Sequence, residues 1–92
     1  MTHPVGAIQG YNLPNDVARV QWLLNGVPPA KGGPAKPLTP NGVCDPETMK
    51  AIERFALAYS QWPYVIYPNS LLHVLLCMKS DNSPLFPSPY TP

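Results

Sequence analysis

The placement of proline constrains this chain more than any other feature. Proline fills 14 of 92 positions, against a usual share of ~5%. Each one fixes φ and removes a backbone donor, so it fits the first turn of a helix and breaks the interior. Pro14, Pro46 and Pro68 stand where helices can begin. Pro28, Pro29 and Pro63 stand where they must have ended, and Pro34, Pro37 and Pro40 stiffen a connection. Pro84, Pro87, Pro89 and Pro92 forbid helix at the end of the chain. Hydrophobic residues make up 45% of the chain, enough for a small core rather than a disordered polymer. The expectation is one domain, residues 1–79, followed by a proline-rich tail, residues 80–92.

Three helical windows remain between these marks. The first runs from about Pro14 to Asn25, with Asn12 or Asn15 available as its cap. At 100° per residue, Leu13, Val17, Val20, Leu23, Leu24 and Val27 share a stripe, with Ala18, Arg19, Trp22 and Asn25 on the other side. The second opens with Asp45 as cap, Pro46 at the first position and Glu47 in the positive field of the helix N-terminus. Met49, Ile52, Phe55, Ala56 and Tyr59 form its inner stripe, and Pro63 stops it. The third runs from near Pro68 to near Met78. Leu71, Val74, Leu75 and Met78 make one face, and Leu72 and Leu76 make a second apolar strip that something must cover, the tail being one candidate. The segment from Pro28 to Asn41 shows no apolar periodicity and reads as a surface loop.

An offset of 22 relates Val43, Pro46, Thr48, Met49 and Ile52 to Val65, Pro68, Ser70, Leu71 and Val74. The expected fold class is therefore all-α: a small three-helix bundle with two related turn–helix units, a long Pro/Gly loop and the tail.

Charge and cysteine content exclude several functions. Charged residues are 12% of the chain and the net charge is +1, so a nucleic-acid partner gripped through a basic patch is not expected. The apolar run Leu71 to Met78 is far short of the ~20 residues that span a bilayer, so no membrane insertion is expected. Met1-Thr2-His3-Pro4 has no basic n-region leading into an apolar segment, so a secretory signal is not read here. Two cysteines and two histidines, with no Cys-x-x-Cys, give no metal set, and no cofactor is expected. Cys44 and Cys77 are compatible with a disulfide or with two buried thiols. Asp16, Asp45, Glu47, Glu53 and Asp81 are scattered, with no acid–base pair among them. Cys77 lies one helical turn from His73, but no orienting group or oxyanion donor accompanies it. Catalysis is therefore not expected.

Three segments resemble a known family. Asp16-Val17, Val20-Gln21 and Leu23-Leu24-Asn25 look like the DVxxVQxLLN first helix of peptidoglycan-binding-like domains. Asn41-Gly42-Val43-Cys44-Asp45-Pro46-Glu47-Thr48 looks like that family's DGxxGPxT turn, and Ala51-Ile52-Glu53-Arg54-Phe55 like its AIxxFQ second helix. The resemblance spans about Leu13 to Met78. It implies a small three-helix fold and non-catalytic binding to bacterial cell wall, that is, to peptidoglycan or a muropeptide fragment, commonly beside a hydrolase. Asn41 stands for the family's Asp, and Asp45 for its Gly. Trp62-Pro63-Tyr64-Val65-Ile66-Tyr67-Pro68 replaces a second, polar turn.

The candidate ligand-binding residues are Trp22, Asn41, Gly42, Trp62, Tyr64 and Tyr67. Trp22 is either covered by a loop or free to stack on a sugar or anchor a protein. Trp62, Tyr64 and Tyr67 either plug the bundle or form an aromatic patch. Gln21 reads as structural, bonding a loop carbonyl. Leu72 and Leu76 are the candidate interaction surface. The first functional expectation is a wall-binding module that targets a separate hydrolase or secreted protein, in periplasm, cell wall or medium after signal-independent export or lysis. The alternative is an adaptor of a bacterial secretion system or phage, using the same fold without wall binding and cytoplasmic if not exported.

Overall fold

The computed structural model describes residues 3–6 and 10–82. The tail beyond Asn82 lies outside the described residues, and so does the expectation that it covers α3.

Among the described residues the elements are β1 (Val5–Gly6), α1 (Pro14–Asn25), a 3-10 turn (Pro29–Lys31), α2 (Pro46–Ala58), β2 (Val65–Ile66) and α3 (Leu71–Lys79). This is a small helical domain with three helices, as expected, but not purely α. The strands β1 and β2 pair antiparallel, Val5 opposite Ile66 and Gly6 opposite Val65. At two residues each, they are too short to show alternation, which is why the sequence pattern did not reveal them.

α1 is the central element, touching β1, α2 and α3. Contact on several sides widens its buried arc. Val17, Val20, Leu23 and Leu24 are buried as expected, but so is Ala18. Its start also differs from expectation. The cap position is Leu13, with no side-chain cap. Asn12 holds a left-handed backbone conformation and uses its amide to clamp β1, donating to the Gly6 carbonyl at 2.9 Å and accepting from the Gly6 N–H at 2.9 Å.

α2 follows its sequence signals closely. Asp45 caps it, accepting from the Thr48 N–H at 2.9 Å, and that bond holds the Asp45 carboxyl below its usual range. The far end closes with Ser60 in the left-handed region. The Gln61 N–H reaches the Ala56 carbonyl at 2.9 Å and the Ser60 N–H the Leu57 carbonyl at 3.2 Å, a Schellman closure.

α3 corrects three expectations. It starts at Leu71 behind the cap Ser70, not near Pro68. The cap-to-cap alignment of α2 and α3 therefore pairs Asp45 with Ser70, and the repeat linking Pro46 to Pro68 does not describe equivalent helix starts. Its rotation is also the reverse of the expected one. Leu72 and Leu76 belong to the core, so they are not an interaction surface, while Leu71, Val74 and Met78 are 60%, 45% and 70% exposed. The reason lies in the lead-in. β2 enters the core with Val65 and Ile66 buried, and the turn through Asn69 at φ 60° then fixes which side of the helix follows inward.

Past α3, the Ser80 hydroxyl donates to the Leu23 carbonyl at 2.6 Å and the Asn82 amide to the Trp22 carbonyl at 2.7 Å. The Asp81 N–H reaches the Gly26 carbonyl at 2.8 Å. These bonds satisfy carbonyls at the end of α1 and tie residues 80–82, the first of the expected tail, to that helix. None of the described helices is long and apolar enough to cross a membrane.

Candidate functional site

Two of the resembling segments, the first helix and the turn from Asn41 to Thr48, meet at one buried side chain. Gln21 points from α1 toward α2, fully buried. Its Nε2 donates to the Val43 carbonyl and to Thr48 Oγ1, each at 2.9 Å, with Asn41 Oδ1 at 3.3 Å. Its Oε1 accepts from the Gly42 N–H at 3.1 Å. The expected structural role for Gln21, bonding a loop carbonyl, is what the geometry shows. Gly42 sits at φ +77°, with a would-be Cβ 3.0 Å from the Pro14 carbonyl oxygen, so glycine is required there both for conformation and for space. Asn41 Oδ1 also accepts from the Val43 N–H at 3.0 Å. Asn41 and Gly42 thus belong to the joint between α1 and α2.

The aromatic candidates divide. Trp62 is 80% exposed, Tyr64 is half-buried against the core, and Trp22 and Tyr67 are half-buried. Tyr11 is exposed as well, its ring stacked on His3 with centroids 5.1 Å apart. Of the six predicted ligand residues, Trp62 alone presents most of its surface to solvent.

Among the described residues, three grooves lie around the segment from Pro28 to Pro40. Sequence patterning reads this segment as a surface loop, and the structure makes it a strap bonded down at several points. Asn25 holds Leu38 by both backbone groups, accepting from its N–H at 2.6 Å and donating to its carbonyl at 2.8 Å. Arg54 Nε donates to the Gly33 carbonyl at 2.8 Å, and the Tyr59 hydroxyl to the Lys31 carbonyl at 2.7 Å. The 3-10 turn closes on Gly32 at φ +97°. A Cβ on the next residue, Gly33, would overlap the Val27 carbonyl oxygen. The available signal in the sequence was polar rather than apolar: Asn25 and Arg54 stand on helices and Tyr59 caps the end of α2, all at the edge of the core and ready to bond a passing backbone.

Grooves flank this strap. One of about 380 Å³ lies between its ends and the 81–82 segment, bordered by Asn25, Val27, Pro28 and Asp81. A second, of about 350 Å³, lies between the strap and α2. A smaller one of about 190 Å³ continues past Leu38 toward the start of α2. None of the six predicted ligand residues lines any of these three grooves.

Reactive groups are held quiet. Cys44, in the turn before α2, and Cys77, on α3, stand as free thiols rather than as a disulfide, each packed against the core. Burial pushes both thiols up, with Asp45 adding to the effect at Cys44, so they stay protonated and weakly nucleophilic. His73 does not orient toward a thiol through Nδ1, because that atom accepts the Asn69 N–H at 2.9 Å. Among the described residues, no three or more His, Cys, Asp or Glu side chains gather in a metal-binding arrangement.

Comparison of the chain with protein-family models, curated proteins and solved structures gives no match.

Proposed function

We propose that the chain is a non-catalytic module that binds bacterial cell wall, with peptidoglycan or a muropeptide fragment as ligand, and brings a separate hydrolase or secreted protein to it. The observation that supports this reading is the joint at Gln21. The helix resembling DVxxVQxLLN and the turn Asn41 to Thr48 are bonded to one another through that one amide, so two of the resembling segments work together as a unit. In this reading the wall-facing surface centres on Trp62, whose indole offers a flat apolar face and an N–H donor to a sugar. In this reading function lies outside the cytoplasm.

Retention on purified sacculi tests it. The protein should pellet with the sacculi, and Trp62→Ala should release most of it while leaving the fold intact. Full recovery of the parent protein in the supernatant sinks the proposal.

The adaptor reading is supported by a different observation, the outward apolar row Leu71, Val74 and Met78 on α3. Exposed apolar rows of this kind favour association with another protein. A partner that co-purifies with the parent but not with a Val74→Glu variant would favour it. Co-purification unaffected by Val74→Glu would count against it.

A further inference from the structure

The groove between the strap and α2 concentrates charge on a chain that has little. Three of the chain's six Lys and Arg side chains line it, Lys36, Lys50 and Arg54, against one of its five acidic ones, Glu47. The whole chain carries only +1, so this wall of the molecule is positive and the remainder is not. Leu38 and Ala51 give the groove an apolar floor. Lys36 comes from the strap and Lys50 from α2, and neither makes an ion pair among the described residues. The walls are preformed. Asn25 fixes Leu38 on one side, and Arg54 fixes Gly33 through its Nε on the other, leaving part of the guanidinium edge uncommitted.

The spacing of these cations selects a ligand shape. Lys50 and Arg54 are one turn apart on α2, a rise of ~6 Å at 1.5 Å per residue. Side chains at alternate positions of an extended peptide point the same way and stand ~6.6 Å apart. Two carboxylates in the pattern acid–any–acid therefore match Lys50 and Arg54, with Lys36 closing over them from the strap. Glu47, just before this pair on the helix, repels a third carboxylate and favours an amine, which sets the direction of the chain. We propose that this groove binds a short extended peptide with acidic side chains at alternate positions and its amino end toward Glu47. The inference goes beyond wall binding and does not depend on it: a soluble peptide titration can succeed or fail whichever way sacculi partition.

The probe is the tripeptide amide Glu-Ala-Glu, with Gln-Ala-Gln amide as its neutral counterpart, titrated into the full chain and followed by amide chemical shifts. The expected result is saturable shifts at Lys36, Leu38, Lys50 and Ala51 with a Kd on the order of 1 mM in low salt. Binding should weaken several-fold at high salt, because screening shortens to ~3 Å at 1 M. Lys50→Gln and Lys36→Gln, both on the surface, should each weaken it about three- to fivefold. Lys79→Gln, a charge change away from the groove, should leave it unaltered. The proposal is overturned if shifts do not saturate, if they fall outside the groove, or if the neutral peptide binds equally. It is also overturned if Lys79→Gln weakens binding as much as Lys50→Gln does.

Discussion

A buried glutamine that bonds two helices and a turn is the most exposed point of failure in this fold. Its amide has two donors and one acceptor oxygen, and all are used on Asn41, Gly42, Val43 and Thr48. Replacing Gln21 by Leu keeps the volume but leaves the Gly42 N–H and the Thr48 hydroxyl without that partner, while the Val43 carbonyl still accepts from the Asp45 N–H at 2.9 Å. Each buried orphan costs ~1–3 kcal/mol, partly relieved by relaxation. Gln21→Leu should therefore lose about 3 kcal/mol in urea unfolding, a large loss for one residue. A variant as stable as the parent would mean that the joint contributes nothing. This residue was legible in the sequence because a polar side chain at the edge of an apolar stripe needs a partner. Ala18 was not, because a small side chain on the far side of a stripe carries no signal until a neighbour covers it.

The starts of α1 and α2 were legible in the sequence; the start and the rotation of α3 were not. α1 and α2 begin with Pro14 and Pro46, as their fixed φ and missing donor dictate. α3 offered two apolar strips, and periodicity has no means of choosing between them when both sides of a helix are apolar. The choice came from β2 and the Asn69 turn, features too short to read. It has a direct test. Leu76→Ala should cost ~3 kcal/mol, as for a buried leucine, whereas Leu71→Ala, at 60% exposure, should stay within ~0.5 kcal/mol. Equal losses at the two positions would contradict the observed rotation.

The same turn carries a pH dependence. His73 Nδ1 accepts from the Asn69 N–H, a bond that requires that nitrogen to be unprotonated. Burial, with positive charge including Arg19 nearby, holds the His73 pKa below its ordinary 6.5. The unfolded chain then takes up the proton more readily than the folded one. The contribution to stability is complete above the unfolded value and is lost as pH falls from there through the lowered folded value. Thermal unfolding at about pH 7 and about pH 5 should show a smaller difference for His73→Gln than for the parent. An unchanged difference would remove His73 as its source.

The strap from Pro28 to Pro40 turns a small helical core into a surface with grooves. Its prolines marked the segment as non-helical, but they did not show that it is held in place, because the bonds holding it come from side chains far away in sequence. Asn25, Arg54 and Tyr59 each take a strap carbonyl, and Asn25 also takes the Leu38 N–H. The core of α1, α2 and α3 does not need these bonds to close, so strap and core should open separately. Asn25→Ala isolates this. It removes both Leu38 bonds at a cost of about 1–2 kcal/mol, and hydrogen exchange at the Leu38 amide should accelerate by an order of magnitude or more. Ile52 and Phe55, fully buried on α2, should keep their protection apart from the shared loss in global stability. The groove floor then loses its fixed position, so Glu-Ala-Glu amide should bind Asn25→Ala more weakly than the parent although no charge has changed. If Leu38 exchanges no faster than the helix amides do, the strap is part of the cooperative core. The groove would then be a fixed feature of the fold rather than one set by the Asn25 clamp.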